Sequence, residues 1–391
     1  MTFKKNLRGR PVVFGLGLTV LLLLTSALRG ADTLPSQIPD DAYWRFIETS
    51  SEPTGTFPSE NFTSNENGFQ MVLPALLQAA KTNSVYLGVG PEQNFTYIAA
   101  LHPKIAFIVD IRRQNLLEHM LYKAAFEMAE NRADFLAILF ARKRPAGLTD
   151  KTDIGKMLDA YLDVPAGDGN TYSKNLRAII ELLVKKHHFG LSEDDQVGID
   201  HVYTVFNEYG PRINYSSTFP IYNGRGNNNG ANFMTVMTAT DPEGVQRGFL
   251  ANEENYRVLR ELEMKNLLIP VVGDFGGPKA LRAVGQYLKE HNATVAAYYT
   301  SNVEQYLFNQ NSSRGAQVIN GGHNNFYDNV ATLPIDESSV FIRSGVPNPG
   351  GGRGGGNGMN NSQVVSIQAT LDAYNAGKIN VYNDIFFIRK P

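Results

Sequence analysis

Short uninterrupted apolar runs alternate along most of this chain with stretches in which apolar residues recur every three or four positions. Ser84 to Gly88 (SVYLG) and Lys104 to Asp110 (KIAFIVD) are the first two such runs. Each is short, β-rich and apolar throughout, the pattern of a strand covered on both faces. Between them Phe95 to Leu101 reads as a helix, with Pro91 suited to the first turn, where a missing N–H costs nothing. After the second run, Leu116, Leu117, Met120, Leu121, Ala124, Ala125 and Met128 fall at helical spacing. Strand, turn, helix, strand and helix in that order predict a parallel sheet with right-handed crossovers.

From 141 to about 210 the chain reads as mainly helical, and residues 211–232 read as an Asn/Gly/Tyr-rich loop. The alternation then resumes. Leu267 to Asp274 is a strand, Pro278 to His291 a helix, Ala293 to Thr300 a strand and Ser339 to Arg343 a strand. Gln363 to Ala376 reads as helix and Asp384 to Arg389 as a last strand. The expected fold is α/β, a doubly wound, mostly parallel, Rossmann-like sheet over residues 67–391. A mainly helical insertion, about 141–265, is expected to cover one end of it. Gly350 to Gly358 is a glycine-rich surface loop by composition.

The front end differs. Lys4, Lys5, Arg8 and Arg10 precede an uncharged run from Pro11 to Leu28 that ends in small residues. Residues 1–30 therefore read as a signal peptide or, because the run approaches bilayer-spanning length, as an uncleaved N-terminal anchor. Residues 31–66, rich in Pro, Ser, Thr and Asn, read as a linker. The location expected is exported, periplasmic or inner-membrane-anchored in a bacterium, with membrane contact only through that first segment if it is not cut.

Composition narrows the chemistry. With 42% hydrophobic residues among 391, a sizeable core is within reach. Lys and Arg total 36 against 38 Asp and Glu, a net charge of −2, so no global basic field exists to attract nucleic acid. Cysteine is absent, which removes disulfides, thiolate metal sites and a thiol nucleophile. No metal is expected, and no triad, P-loop or zinc-protease pattern is present. Oligomeric state is not legible.

The candidate chemistry lies at Gly88-Val89-Gly90, where the first strand meets its helix. Glycines there let a ligand approach the backbone, and a helix start offers free N–H groups. Asp110 follows Gly90 by 20 residues, at the end of the second strand. An acid at that place accepts ribose hydroxyls in doubly wound sheets. A small-molecule ligand of adenosine type is the expected partner; the alternative is a tight turn with a solvated or capping Asp110. Arg112 and Arg113 either clamp a ligand carboxylate or phosphate or pair with Asp110, Glu118 or Glu92. His187, beside Lys185 and Lys186, reads as a solvated helix end, and His323 as a lone histidine in a polar loop.

The stretch YLGVGPEQNFTYIAALHPKIAFIVDIRRQN and the later VVGDFGGPKALR resemble an uncharacterised family of bacterial proteins. The core of that family is similar to the class I S-adenosylmethionine-dependent methyltransferases. The resemblance implies that Gly88 and Gly90 flank the methionine part of S-adenosylmethionine and that Asp110 holds its ribose. It implies that Asp274 lies near the adenine and that Thr300, Ser301 and Asn302 face the transferred methyl group. Methyltransferases usually carry an acid where this chain has Tyr86, and a third glycine where it has Glu92. Glu92 is a candidate substitute for the missing acid, although a carboxylate at a helix start is equally accounted for by the helix dipole. The alternative function is a non-catalytic, degenerate Rossmann-like binding or envelope protein.

Overall fold

The computed structural model describes residues 31–57, 59–66, 68–166, 169–215, 231–308, 322–345 and 362–388, besides Met1. The expected leader, most of the Asn/Gly-rich loop and the glycine-rich loop at 350–358 lie outside them. No helix among the described residues is long and apolar enough to cross a membrane.

The elements follow in order as α1 (Asp40–Ser50), α2 (Leu73–Ala79), β1 (Val85–Gly88), α3 (Gln93–Leu101) and β2 (Ile105–Asp110). Among the described residues seven α-helices separate β2 from the next strand: α4 (Arg113–Met128), α5 (Arg132–Leu139), α6 (Ile154–Leu162), α7 (Gly169–Ile180), α8 (Glu193–Tyr209), α9 (Phe233–Thr238) and α10 (Glu253–Met264). Then come β3 (Leu268–Val272), α11 (Ala280–Glu290), β4 (Val295–Ser301), α12 (Val303–Phe308), α13 (Gly322–Val330), β5 (Val340–Ser344), β6 (Ser362–Ser366) and α14 (Ile367–Asn375).

The strands form one six-stranded sheet in the order β3-β2-β1-β4-β5-β6. Neighbours from β3 to β5 are parallel, and β6 runs antiparallel to β5. This α/β sheet is compatible with a Rossmann-like fold. Every residue of β1, β2 and β3 is buried, which is why these strands are continuously apolar rather than alternating. Pro270 can stand in β3 because that strand is at the sheet edge and pairs only with β2. Chain order reverses between β1 and β4, so a crevice opens at their carboxyl ends.

Three expectations are corrected. Residues 40–50 are not linker: Tyr43, Trp44 and Ile47 give α1 an apolar face that buries against β3, and Tyr43 Oη donates to the Leu268 carbonyl at 3.1 Å. This helix blunts the exposed edge of the sheet. Residues 362–366 form β6 before the expected helix begins, because Val364 and Val365 pair with Ile342 and Phe341 of β5. The expected strand at 384–389 is instead a 3₁₀ turn over Tyr382–Phe387, with the Asp384 side chain accepting the N–H groups of Asn380 and Val381.

Candidate functional site

Asn94 builds the first turn. Its amide Nδ2 donates to the carbonyls of Val89 (2.9 Å), Gly90 (3.2 Å) and Pro91 (2.7 Å), and its Oδ1 accepts from Tyr86 Oη at 2.9 Å. The two glycines have different reasons to be there. A Cβ on Gly88 would collide with Asn94 Oδ1, so Gly88 admits the staple. Gly90 has φ +78°, a left-handed backbone, and a Cβ there would meet nothing.

That open space belongs to a cavity of about 130 Å³ at the carboxyl ends of the strands. Its walls come from the turn Val89–Pro91, from Asp110, Ile111 and Arg112 after β2, and from Gly273, Asp274 and Phe275 after β3. Tyr299, Ser301 and Asn302 at the end of β4 complete that side. The opposite wall is a strap over residues 51–66, which contributes Thr56, Phe57, Asn61, Thr63, Ser64, Asn65 and Glu66. The strap is anchored by backbone bonds from Glu52 to the Val272 carbonyl and from Gly55 to the Ile111 carbonyl, both 2.8 Å. Its position was missed because composition alone suggested a tether.

The structure therefore brings Gly90, Asp110, Arg112, Asp274, Ser301 and Asn302 to one cavity. Gly88, Glu92 and Thr300 are not among its lining residues. Thr300 is fully buried, with its hydroxyl 3.5 Å from the Ile342 carbonyl. Glu92 lies fully buried under the strap, where its Oε1 accepts the Ser64 N–H at 3.2 Å. Burial pushes its carboxyl up to about 8. Glu118 is fully buried as well and is raised by burial and by the charge of Glu92. His119 Nε2 donates to the Gly90 carbonyl, 2.9 Å away, and burial lowers its pKa to about 4.

Arg112 is a partner of Asp110. Asp110 Oδ1 accepts from the Arg112 backbone N–H (2.9 Å) and Nε (3.0 Å), and Oδ2 accepts from Nη2 (3.0 Å). A carboxylate offers about four lone-pair directions, so Oδ2 keeps one for a ligand hydroxyl. Arg113 pairs with Asp195 across to α8. His187 is not a solvated helix end: it is 9% exposed and bridges Asp40 at 2.9 Å and Glu127 at 2.8 Å. His323 stacks on Phe308 at 3.9 Å between ring centres.

The third turn is closed from outside the sheet. Glu52 Oε2 accepts the Asp274 N–H at 3.1 Å, and Oε1 accepts the N–H groups of Lys279 (2.7 Å) and Ala280 (2.9 Å) at the start of α11. A Cβ on Gly277 would strike that carboxylate, which accounts for the glycine at that position. Glu52, Glu92 and Asp110 thus each place a carboxylate of the chain itself at a βα turn, the location at which nucleotide-binding folds hold phosphate. Asp274 accepts the Gly276 N–H at 2.9 Å.

Glu66 carried no signal in the sequence. It is 2% exposed, yet it lines the cavity. Its Oε1 accepts from Tyr299 Oη (3.0 Å) and Ser301 Oγ (2.5 Å), and its Oε2 from Gln93 Nε2 (2.8 Å) and Ser344 Oγ. Among the described residues no group of three or more His, Cys, Asp or Glu side chains is placed to hold a metal ion.

Residues 61–149 and 172–362 match the model of a family described as a domain of unknown function, DUF7790. No curated protein matches the chain. The match covers more than half of the sequence, and the chain belongs to that family.

Proposed function

We propose that this DUF7790 protein binds a nucleoside of adenosine type in the cavity between the strap and the strand ends, with S-adenosylmethionine as the ligand the resemblance favours. The observation that carries the reading is the convergence of the Gly90 turn and Asp110 on one cavity at the point where strand order reverses. The open space over Gly90 admits close approach of a ligand to the backbone, and Asp110 Oδ2 retains acceptor capacity for one ribose hydroxyl. A nucleoside is favoured over a nucleotide because Arg112, the one basic residue of the lining among the described residues, is taken by Asp110, and the turns already hold the chain's own carboxylates. Asp274, Ser301 and Asn302 lie along the same walls and would contact the rest of the ligand. When bound, S-adenosylmethionine supplies an electrophilic methyl group; the chain's own part is to position the ligand and exclude water.

The sheet is read in full as doubly wound and methyltransferase-like, with the helices between β2 and β3 as an insertion that covers the crevice. The exported location remains part of this reading through the basic and apolar pattern of residues 1–30. A non-catalytic binding role is the second reading. It is favoured by the Tyr86–Asn94 bond, which occupies the position where methyltransferases usually carry an acid.

Calorimetry and thermal shift of the full chain with S-adenosylmethionine and its demethylated product test the proposal. Binding and a raised Tm are expected, since a ligand that binds only the folded state stabilises by mass action. Asp110→Asn, which removes the second carboxylate oxygen as an acceptor, is expected to weaken the binding and shrink the shift. No heat and no shift at millimolar ligand would remove the reading.

A further inference from the structure

Glu66 is a buried carboxylate with no cationic partner among the described residues. Its four neighbours from α3, β4 and β5 are all neutral: one amide and three hydroxyls. Together they fill the lone-pair directions of both oxygens. Each hydroxyl spends its single hydrogen on Glu66 and keeps only acceptor capacity. Of the three, Tyr299 and Ser301 line the cavity. Toward the cavity these two hydroxyls therefore present acceptors, laid over a negative charge that no described residue compensates. Arg343 of β5, also buried, is bound by both oxygens of Glu304 at 2.6 and 3.0 Å.

A second feature at the same wall looks for a ligand. Thr63 is fully buried and lines the cavity, and its hydroxyl has no hydrogen-bond partner among the described residues. Buried polar atoms are almost always satisfied, and one left over at a cavity wall marks a place where a bound molecule completes it.

We propose that the cavity selects a ligand carrying an alkylated cationic centre, a sulfonium or a quaternary ammonium, and that Glu66 is the residue that reads this charge through the Tyr299 and Ser301 hydroxyls. The inference rests on the binding reading above and deepens it. A cation meets favourable charge and acceptors here. A phosphate or carboxylate meets a wall of the wrong sign. Glu66 sits on the strap, so charge recognition and strap position belong to one unit.

The test is calorimetry on the full chain with a series that varies charge. S-adenosylmethionine carries the sulfonium, its demethylated product is the same scaffold without it, AMP is anionic, and choline is a cation without a nucleoside. In the wild type, S-adenosylmethionine is expected to bind about tenfold more tightly than the demethylated product, and AMP more weakly than either. In Glu66→Gln that ratio is expected to fall to about one, with the demethylated product bound as before. The substitution suits the site because its hydroxyl neighbours can rotate to accept from the new amide. Equal affinities for the first two ligands in the wild type would overturn the cation subsite and leave the nucleoside reading standing, whether or not the variant folds. Choline bound in a Glu66-dependent way, with no adenosine compound bound, would do the reverse. A preference unchanged in Glu66→Gln would assign the charge reading elsewhere and overturn the proposal, as would no binding of any member of the series.

Discussion

At the start of α3, Glu92 sits out of contact with solvent, and only the Ser64 N–H is within hydrogen-bonding reach of its side chain from the strap. Burial raises its folded-state pKa from the ordinary 4.5 to about 8, and Glu263 is raised to about 8 for the same reason. The sign follows from linkage. The unfolded chain loses these protons near 4.5, and the folded chain keeps them until about 8. Their contribution is fully present below the unfolded pKa and is lost as pH rises through that window. Thermal unfolding between pH 5 and 9 is expected to show Tm falling as pH rises. Glu92→Gln should flatten that fall and retain on the order of a few kcal/mol more stability at pH 9, at about 1.4 kcal/mol per pKa unit. A Glu92→Gln profile as steep as the wild type would show that Glu92 ionises freely in the fold. The sequence marked Glu92 as a ligand candidate because a carboxylate at a helix start looks alike whether it faces a cavity or lies under another segment. Gly88 and Gly90 were equally indistinguishable by letter, and only Asn94, four residues on, separates a packing glycine from a conformational one.

Among the elements, α1 and the strap decide how much of the crevice is enclosed. Glu52 ties them to the sheet by accepting three backbone N–H groups at the turn before α11. Glu52→Ala leaves those donors unpaired and is expected to cost about 1–3 kcal/mol. Trp44 is the single tryptophan of the chain and stacks on Phe189 at 5.3 Å in α1. Its emission therefore reports whether α1 stays docked. In Glu52→Ala the emission is expected to shift to the red at a lower temperature than in the wild type; a melting curve that superimposes on the wild type would show that the strap is held without Glu52. The parallel strands were legible because burial on both faces makes them apolar without interruption. Helix α1 was missed because its apolar positions, Tyr43, Trp44 and Ile47, are embedded in a Pro- and Ser-rich context. β6 was missed because its short run Val364-Val365 continues directly into the helix, and nothing local separates the two.

For the molecule as a whole, the order β3-β2-β1-β4-β5-β6 puts the crevice where the strand sequence reverses, and that much the two βα turns announced. What they could not announce is the opposite wall. The strap reaches the site from 51–66 through contacts with residues up to hundreds of positions away, such as Glu66 with Tyr299 and Ser344. Such long-range pairing leaves no periodic trace in a single sequence. It also changes the candidate site: Arg112 becomes the clamp on Asp110, and Glu66 becomes a wall of the cavity.

The central claim is that a nucleoside occupies the space between the turn at 88–91, Asp110 and the strap. Amide hydrogen exchange of the full chain, with and without millimolar S-adenosylmethionine or its demethylated product, reads that space directly. The account predicts slower exchange at residues 61–66, 89–93, 110–112, 273–275 and 299–302 when ligand is present. Unchanged exchange at these segments, or protection that falls only on other parts of the chain, would contradict it.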